Sequence, residues 1–157
     1  MATRFRFRLE PLLKLRKSLE QEARRQFAKA MNAREEAEVH LKDLQQQHKV
    51  GVASRTAGPG QEIDLNFWAD LERYLVVLEK RIAQAQVELN EAEAQVVRAR
   101  QALTKAHQDH LTLLRLKERR QELHSLEAMQ EEIREADEIA VLRHRFTAAR
   151  TGRTATL

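Results

Sequence analysis

LERYLVVLEKRIAQAQVELNEAEAQVVRARQALTKAHQDHLTL, residues 71–113, decides the fold. Leu71, Leu75, Leu78, Ile82, Ala85, Leu89, Ala92, Val96, Ala99, Leu103, Ala106, His110 and Leu113 recur at alternating steps of four and three. That heptad spacing lays one narrow apolar stripe along an α-helix. The stretch sits inside residues 61–151, a run of 91 without glycine or proline, so no local breaker interrupts it. A long helix with a sticky seam encloses no pocket. Function is expected in what the helix touches.

Composition points the same way. The 157 residues include only five Phe, one Tyr and one Trp, too few rings for an ordinary globular core, while 33 % are Asp, Glu, Lys or Arg. Interspersed charge of both signs on an alanine-rich background is the profile of long helices and coiled coils. With no cysteine, disulfides and thiolate metal sites are excluded, and a cytosolic compartment is allowed. No apolar run approaches the roughly 18 residues of a membrane span, and the amino terminus lacks the apolar core of a secretory signal.

Residues 50–62 hold three of the four glycines and Pro59, flanked by Gly58 and Gly60. That composition turns the chain and stops a helix. The expected fold is therefore all-α, an antiparallel two-helix coiled-coil hairpin with a long overhanging second helix. It is read as a single coiled-coil domain over 1–157: helix 1 at about 10–48, linker 49–62, helix 2 at about 63–145, and a flexible tail at 146–157. Pro11 suits the first helical turn, where its missing donor costs nothing. Leu12, Leu15, Leu19, Ala23, Phe27, Ala30, Ala33, Ala37, Leu41 and Leu44 form the expected face of helix 1, and Asp64 or Asn66 caps helix 2.

Closing the hairpin on residues 49–62 pairs positions whose numbers sum to about 112. Leu41 then meets Leu71, Ala30 meets Ile82, Phe27 meets Ala85, Leu19 meets Ala92 and Leu12 meets Ala99, large against small. Helix 1 runs out near Leu103 to Ala106, which leaves roughly forty residues of helix 2 over. In that overhang the spacing slips: Leu114, Leu116, Leu123, Leu126, Met129, Ile133, Ala136 and Ala140 continue a stripe in a shifted phase, which turns the sticky face. An amphipathic helix without an internal mate is expected to find one elsewhere, so self-association through residues 106–145 is one expectation.

The amino terminus is the other unusual patch. Arg4-Phe-Arg-Phe-Arg8 alternates bulky apolar with cationic side chains and leads into Leu9, Leu12 and Leu13, with Lys14, Arg16 and Lys17 following. Such a basic tip steers toward anionic surfaces.

Catalytic readings fail on residue types. The chain has no GxxxxGK[ST] phosphate loop, HExxH or dinucleotide fingerprint. His107 and His110 share a helical face, but a third metal ligand is not evident, so no catalytic residue, metal or cofactor is expected. Nucleic acid is not an expected partner either. Glu118 and Glu122 interrupt the basic block at 115–120, and stacking platforms are scarce.

The opening Phe5-Arg-Phe-Arg-Leu-Glu-Pro-Leu-Leu-Lys-Leu-Arg16 resembles the amino-terminal signature of the flagellar export protein family FliJ, a Phe-Arg-Leu-x-x-Leu-Leu-x-x-Arg type segment. Leu116-Lys-Glu-Arg-Arg-Gln-Glu122, with Glu131-Glu-Ile-Arg-Glu-Ala-Asp-Glu-Ile-Ala140, is similar to that family's closing region. The resemblance implies a non-enzymatic coiled-coil stalk of the flagellar type III export apparatus. Such a stalk enters the ring of the export ATPase FliI, engages the export-gate protein FlhA, and is linked to export chaperones. It implies a cytoplasmic location, peripheral to the inner face of the cell membrane at the flagellar base. A YscO-type injectisome stalk shares the architecture, and a structural tether or scaffold is the plainer alternative.

Carried onto this chain, the resemblance makes Phe5, Arg6, Leu9, Leu12, Leu13, Arg16, Leu116, Arg119, Arg120, Asp137, Glu138 and Arg143 the ATPase-facing candidates. Phe67, Trp68, Tyr74, Leu78 and Arg81, the only aromatic concentration after the linker, become the gate-facing ones. Aromatics rimmed by charge are common interface anchors.

Overall fold

Glu10–Ala53 forms α1 and Leu65–Thr154 forms α2 in a computed structural model that describes residues 3–55 and 64–154. The core of the expected linker, Gly58-Pro59-Gly60, lies outside the described residues. Among the described residues the fold is all-α, and no helix is long and apolar enough to cross a membrane.

Local chemistry fixes the helix ends. Glu10 N–H donates to the Phe7 carbonyl at 3.2 Å and Leu13 N–H to the Leu9 carbonyl at 2.9 Å, with Pro11 in the first turn, where no donor is needed. Asp64 caps α2: its carboxylate accepts the Asn66 N–H at 3.0 Å, and its carbonyl accepts the Trp68 N–H at 3.1 Å. α1 ends where the Ser54 hydroxyl and N–H both donate to the Val50 carbonyl, at 3.0 and 3.1 Å.

Two boundaries differ from the expected ones. α1 continues through residues 49–53, which the composition had assigned to the linker, and α2 continues through 146–154, which had been assigned to the tail. Past Arg145 no breaker intervenes before Gly152, and the hydroxyls of Thr147 and Thr151 turn back to donate to the Arg143 and Thr147 carbonyls, at 3.0 and 2.9 Å.

The contacts gather into two units, Arg16–Gln108 and Met1–Leu15 with Asp109–Leu157. Within Arg16–Gln108 the helices pair antiparallel. His48 meets Glu79 at 3.3 Å, Arg55 meets Glu72 at 2.8 Å, the Arg100 guanidinium lies 5.9 Å over the Phe27 ring, and His107 meets Glu20 at 3.1 Å. Each of these pairs sums to 127, so the expected register near 112 is corrected by roughly four helical turns. Leu41, Leu44, Leu75, Leu78, Ala85 and Leu89 form the buried cluster, with Ala37, Leu71 and Ile82 packed against it.

Gly51 explains the correction. It was read as a linker glycine, yet it sits buried inside α1, where an added Cβ would lie 2.7 Å from Leu75 Cδ2. The missing side chain lets the two helices approach closely there, and the turn is displaced beyond it. Alanine at this position gains about 1 kcal/mol of helix propensity but must move the terminus of a buried leucine. Valine cannot turn its branches away from Leu75. We expect Gly51→Ala to be nearly neutral and Gly51→Val to destabilise by about 2 kcal/mol, read by urea denaturation.

The α2 seam is as the heptads predict: Leu75, Leu78, Ala85, Leu89 and Val96 are buried, and the other seam positions through Leu113 are half-buried. The α1 seam departs from its leucines. Ala23, Phe27, Ala30, Ala37, Leu41 and Leu44 face inward as expected, but Glu20, Arg34, His48 and Gly51 take positions expected of others, while Leu19 is 46 % exposed and Ala33 is also outside.

In the second unit, Glu10 bonds Lys117 at 2.8 Å and the Phe5 ring lies 5.6 Å from the His124 ring. Phe7 and Leu13 are buried there, whereas Leu12 and Leu15 face solvent. The amino-terminal segment therefore accompanies α2 as far as His124, well past the expected limit at Leu103 to Ala106. Residues 129–152 are exposed throughout.

Candidate functional site

Residues 3–7 lead into α1 outside any helix, and exposed and covered side chains alternate along residues 4–8. Phe7 is buried and Phe5 half-buried against His124, while Arg4, Arg6 and Arg8 are exposed. The rings anchor the segment and the arginines become its outer surface. Arg4, Arg6, Arg8, Lys14 and Lys117 line one open groove with Glu10, Pro11 and Gln121. Glu10 is held by Lys117 at 2.8 Å, so the acid in this lining is already neutralised.

The candidates assigned to an ATPase divide by exposure. Arg6 and Leu12 face solvent, as do Arg119 and Arg120 on α2. Phe5, Leu9 and Leu116 are half-buried, and Leu13 is buried. Arg16 takes a half-buried position in the other unit. Asp137, Glu138 and Arg143 lie in the fully exposed stretch of α2.

At the start of α2, Phe67 and Tyr74 are 54 % and 46 % exposed. They share a groove between the helices with Gln46, Gln47, Val50, Gly51, Ser54 and Leu71. Gly51 contributes no side chain, which opens the groove's floor. Trp68 is half-buried and Arg81 exposed. Leu78 is fully buried, at 0 % exposure. Its seam position withdraws it from the surface while the helices stay paired.

Glu20 was not singled out by sequence. It is the buried charged side chain of the core, with 6 % side-chain exposure, and accepts hydrogen bonds from Arg24 at 2.7 Å and from the His107 imidazole at 3.1 Å. The signal that could have found it is the strict 3.5-residue repeat run backwards from Leu41. His107 thus serves a cross-helix pair. Among the described residues no group of three or more His, Asp or Glu could hold a metal ion.

The Glu22 carboxylate has a shifted pKa. The Gln26 amide donates to Glu22 at 2.9 Å, and this bond, with the nearby Arg25 and Lys29 charges, holds the Glu22 carboxyl below its ordinary value. Partial desolvation raises it, and the bond and the nearby charges outweigh that. Its pairing is local to one helix turn and builds no site.

Among the described residues the arrangement offers surfaces for binding. A family model described as "Flagellar FliJ protein" matches residues 5–148. No curated protein and no solved structure matches the chain.

Proposed function

The chain belongs to the flagellar FliJ protein family, a non-enzymatic coiled-coil component of flagellar protein export, and on that premise we propose that it is the stalk that docks into the export ATPase FliI. The same stalk reaches the export-gate protein FlhA through a second surface and couples the two to substrate export. It works in the cytoplasm, at the inner face of the membrane beneath the flagellum, with export chaperones as further partners.

One observation carries this reading: the Phe-in, Arg-out segment at residues 4–8. Aromatic anchoring presents three cations on a surface already fixed to the helix. A ring of ATPase subunits needs an asymmetric, stiff contact to be biased one subunit at a time, and a basic edge of this kind supplies one by long-range attraction. The groove with Phe67 and Tyr74 supports the gate-facing role, because exposed rings beside a side-chain-free floor accept a partner's apolar group.

The test is the rate of ATP hydrolysis by the purified export ATPase with and without this protein. Arg4→Glu, Arg6→Glu and Arg8→Glu together reverse the exposed charge and leave Phe5 and Phe7 in place. Stimulation should fall at least tenfold at low salt while helicity by circular dichroism stays as it was. Full stimulation by the triple variant would remove the amino-terminal segment from the ATPase contact.

A further inference from the structure

The phase slip after Leu113 has a geometric outcome. Up to His124 one face of α2 is occupied by the amino-terminal segment. Arg115, Arg119, Glu122, Leu126, Met129, Ile133, Ala136 and Ala140 continue at strict steps of four and three on the opposite side of the helix, and all eight are exposed. Leu126, Met129 and Ile133 are each more than half exposed, at 55, 58 and 54 %. This is a second heptad seam on a helix whose first seam is covered as far as His124.

We propose that its occupant is the same seam of a second copy of this chain, running antiparallel. Two features select that partner. The first is charge. Residues 115–120 carry Arg115, Arg119 and Arg120 against Glu118, Lys117 being paired with Glu10, while residues 131–138 carry Glu131, Glu132, Glu135, Asp137 and Glu138 against Arg134. Antiparallel pairing lays each basic block beside the partner's acidic block. Parallel pairing lays like on like, which is unfavourable.

The second is register. An antiparallel coiled coil matches the two heptad positions with each other, and one two-fold alignment does so along the whole seam. Leu126 meets Met129 of the other copy, Glu122 meets Ile133, Arg119 meets Ala136, and Arg115 meets Ala140. The apolar pairs stand at the centre, and each long charged side chain reaches over a small or aliphatic one with its head free to find the opposite block. The interface is isologous and closes on itself. Ala106, His110 and Leu113 are half-buried on the first seam, so self-association narrows from residues 106–145 to 115–140.

Arg119 is also an ATPase-facing residue under the proposed function, so on that reading the dimer withholds it from the ring. The pairing itself does not rest on that reading.

The full chain alone suffices for the test, independent of any export protein. Sedimentation equilibrium should give a monomer–dimer equilibrium that weakens with added salt. Met129→Glu with Ile133→Glu should weaken it at least tenfold without loss of helicity. The chain has no cysteine, so Glu127→Cys and Arg145→Cys take single spin labels. Antiparallel pairing puts the two labels at 127 close together and the two at 145 about 50 Å apart, at 1.5 Å per residue. Short distances at both sites, a monomer at every concentration, or a dimer unchanged by the glutamate pair would each overturn the proposal.

Discussion

Leu78→Ala should lower stability by about 3 kcal/mol, within the range for a leucine truncated in a core that cannot collapse. Leu78 and Leu75 are the most deeply buried side chains, at 0 and 1 % exposure, and they pack in a cluster with Leu41 and Leu44. A two-helix seam has no third layer to close over the space. The neighbours in the same apolar run make the control. Val76 and Val77 are 47 and 45 % exposed, so Val77→Ala should cost less than about 1 kcal/mol. Urea denaturation followed by circular dichroism measures both. The pair also separates packing from recognition, because any loss of gate binding by Leu78→Ala should be recovered under conditions that restore its pairing. A Leu78→Ala protein of normal stability would contradict the burial.

Much of this was legible in the sequence, and what was not has a physical cause. The α2 seam from Leu71 to Leu113 could be read residue by residue, because no other stripe in that stretch competes with it. Asp64 as cap and Pro11 in the first turn follow from side chains that act locally. α1 is different. It carries two overlapping patterns, the leucines at 12, 15 and 19 and the strict repeat through Leu13, Arg16 and Glu20, and these coincide again from Ala23 to Ala30. Hydrophobicity favoured the first. The structure takes the second, since Leu41 and Leu44 against Leu75 and Leu78 fix the phase and a regular 3.5-residue repeat carries it back along the helix.

Gly51 misled for a related reason. Glycine marks a turn by conformational freedom, but it also marks a place where backbones come close, and only the position of Leu75 tells the two apart. That one residue moved the turn, the register and the extent of the overhang together. Among the candidate surfaces, the amino-terminal alternation was legible because bulky apolar and cationic residues alternate there and burial follows them. The burial of Leu78 was written in the same heptads that defined the seam.

Glu20 decides whether the polar stretch of the α1 seam is there for stability. Its carboxylate is buried, yet Arg24 and His107 remain 64 and 48 % exposed, so water screens these two partners and their attraction is weaker than the short distances suggest. The burial cost falls on the carboxylate alone. Glu20→Leu should therefore stabilise the helix pair by about 1 kcal/mol, since it fills the seam with apolar volume and leaves two cationic or polar groups that water already solvates. Glu20→Lys places a cation in the same buried position beside Arg24 and should destabilise by about 3 kcal/mol. Thermal and urea denaturation of the two variants gives both signs. If leucine stabilises, the retained carboxylate has another use, and the alternative stripe through Leu12, Leu15 and Leu19 indicates which. A buried charge that can be satisfied in one phase only penalises rotation of α1 toward those leucines, as single polar seam residues fix register elsewhere at a cost in stability. Glu20→Leu should then populate a second alignment. With the leucine in place, Leu19→Cys should cross-link to a cysteine at His107, a pairing the wild-type phase disfavours. A leucine variant that is less stable than the wild type would make Glu20 an ordinary stabilising contact and remove the register argument.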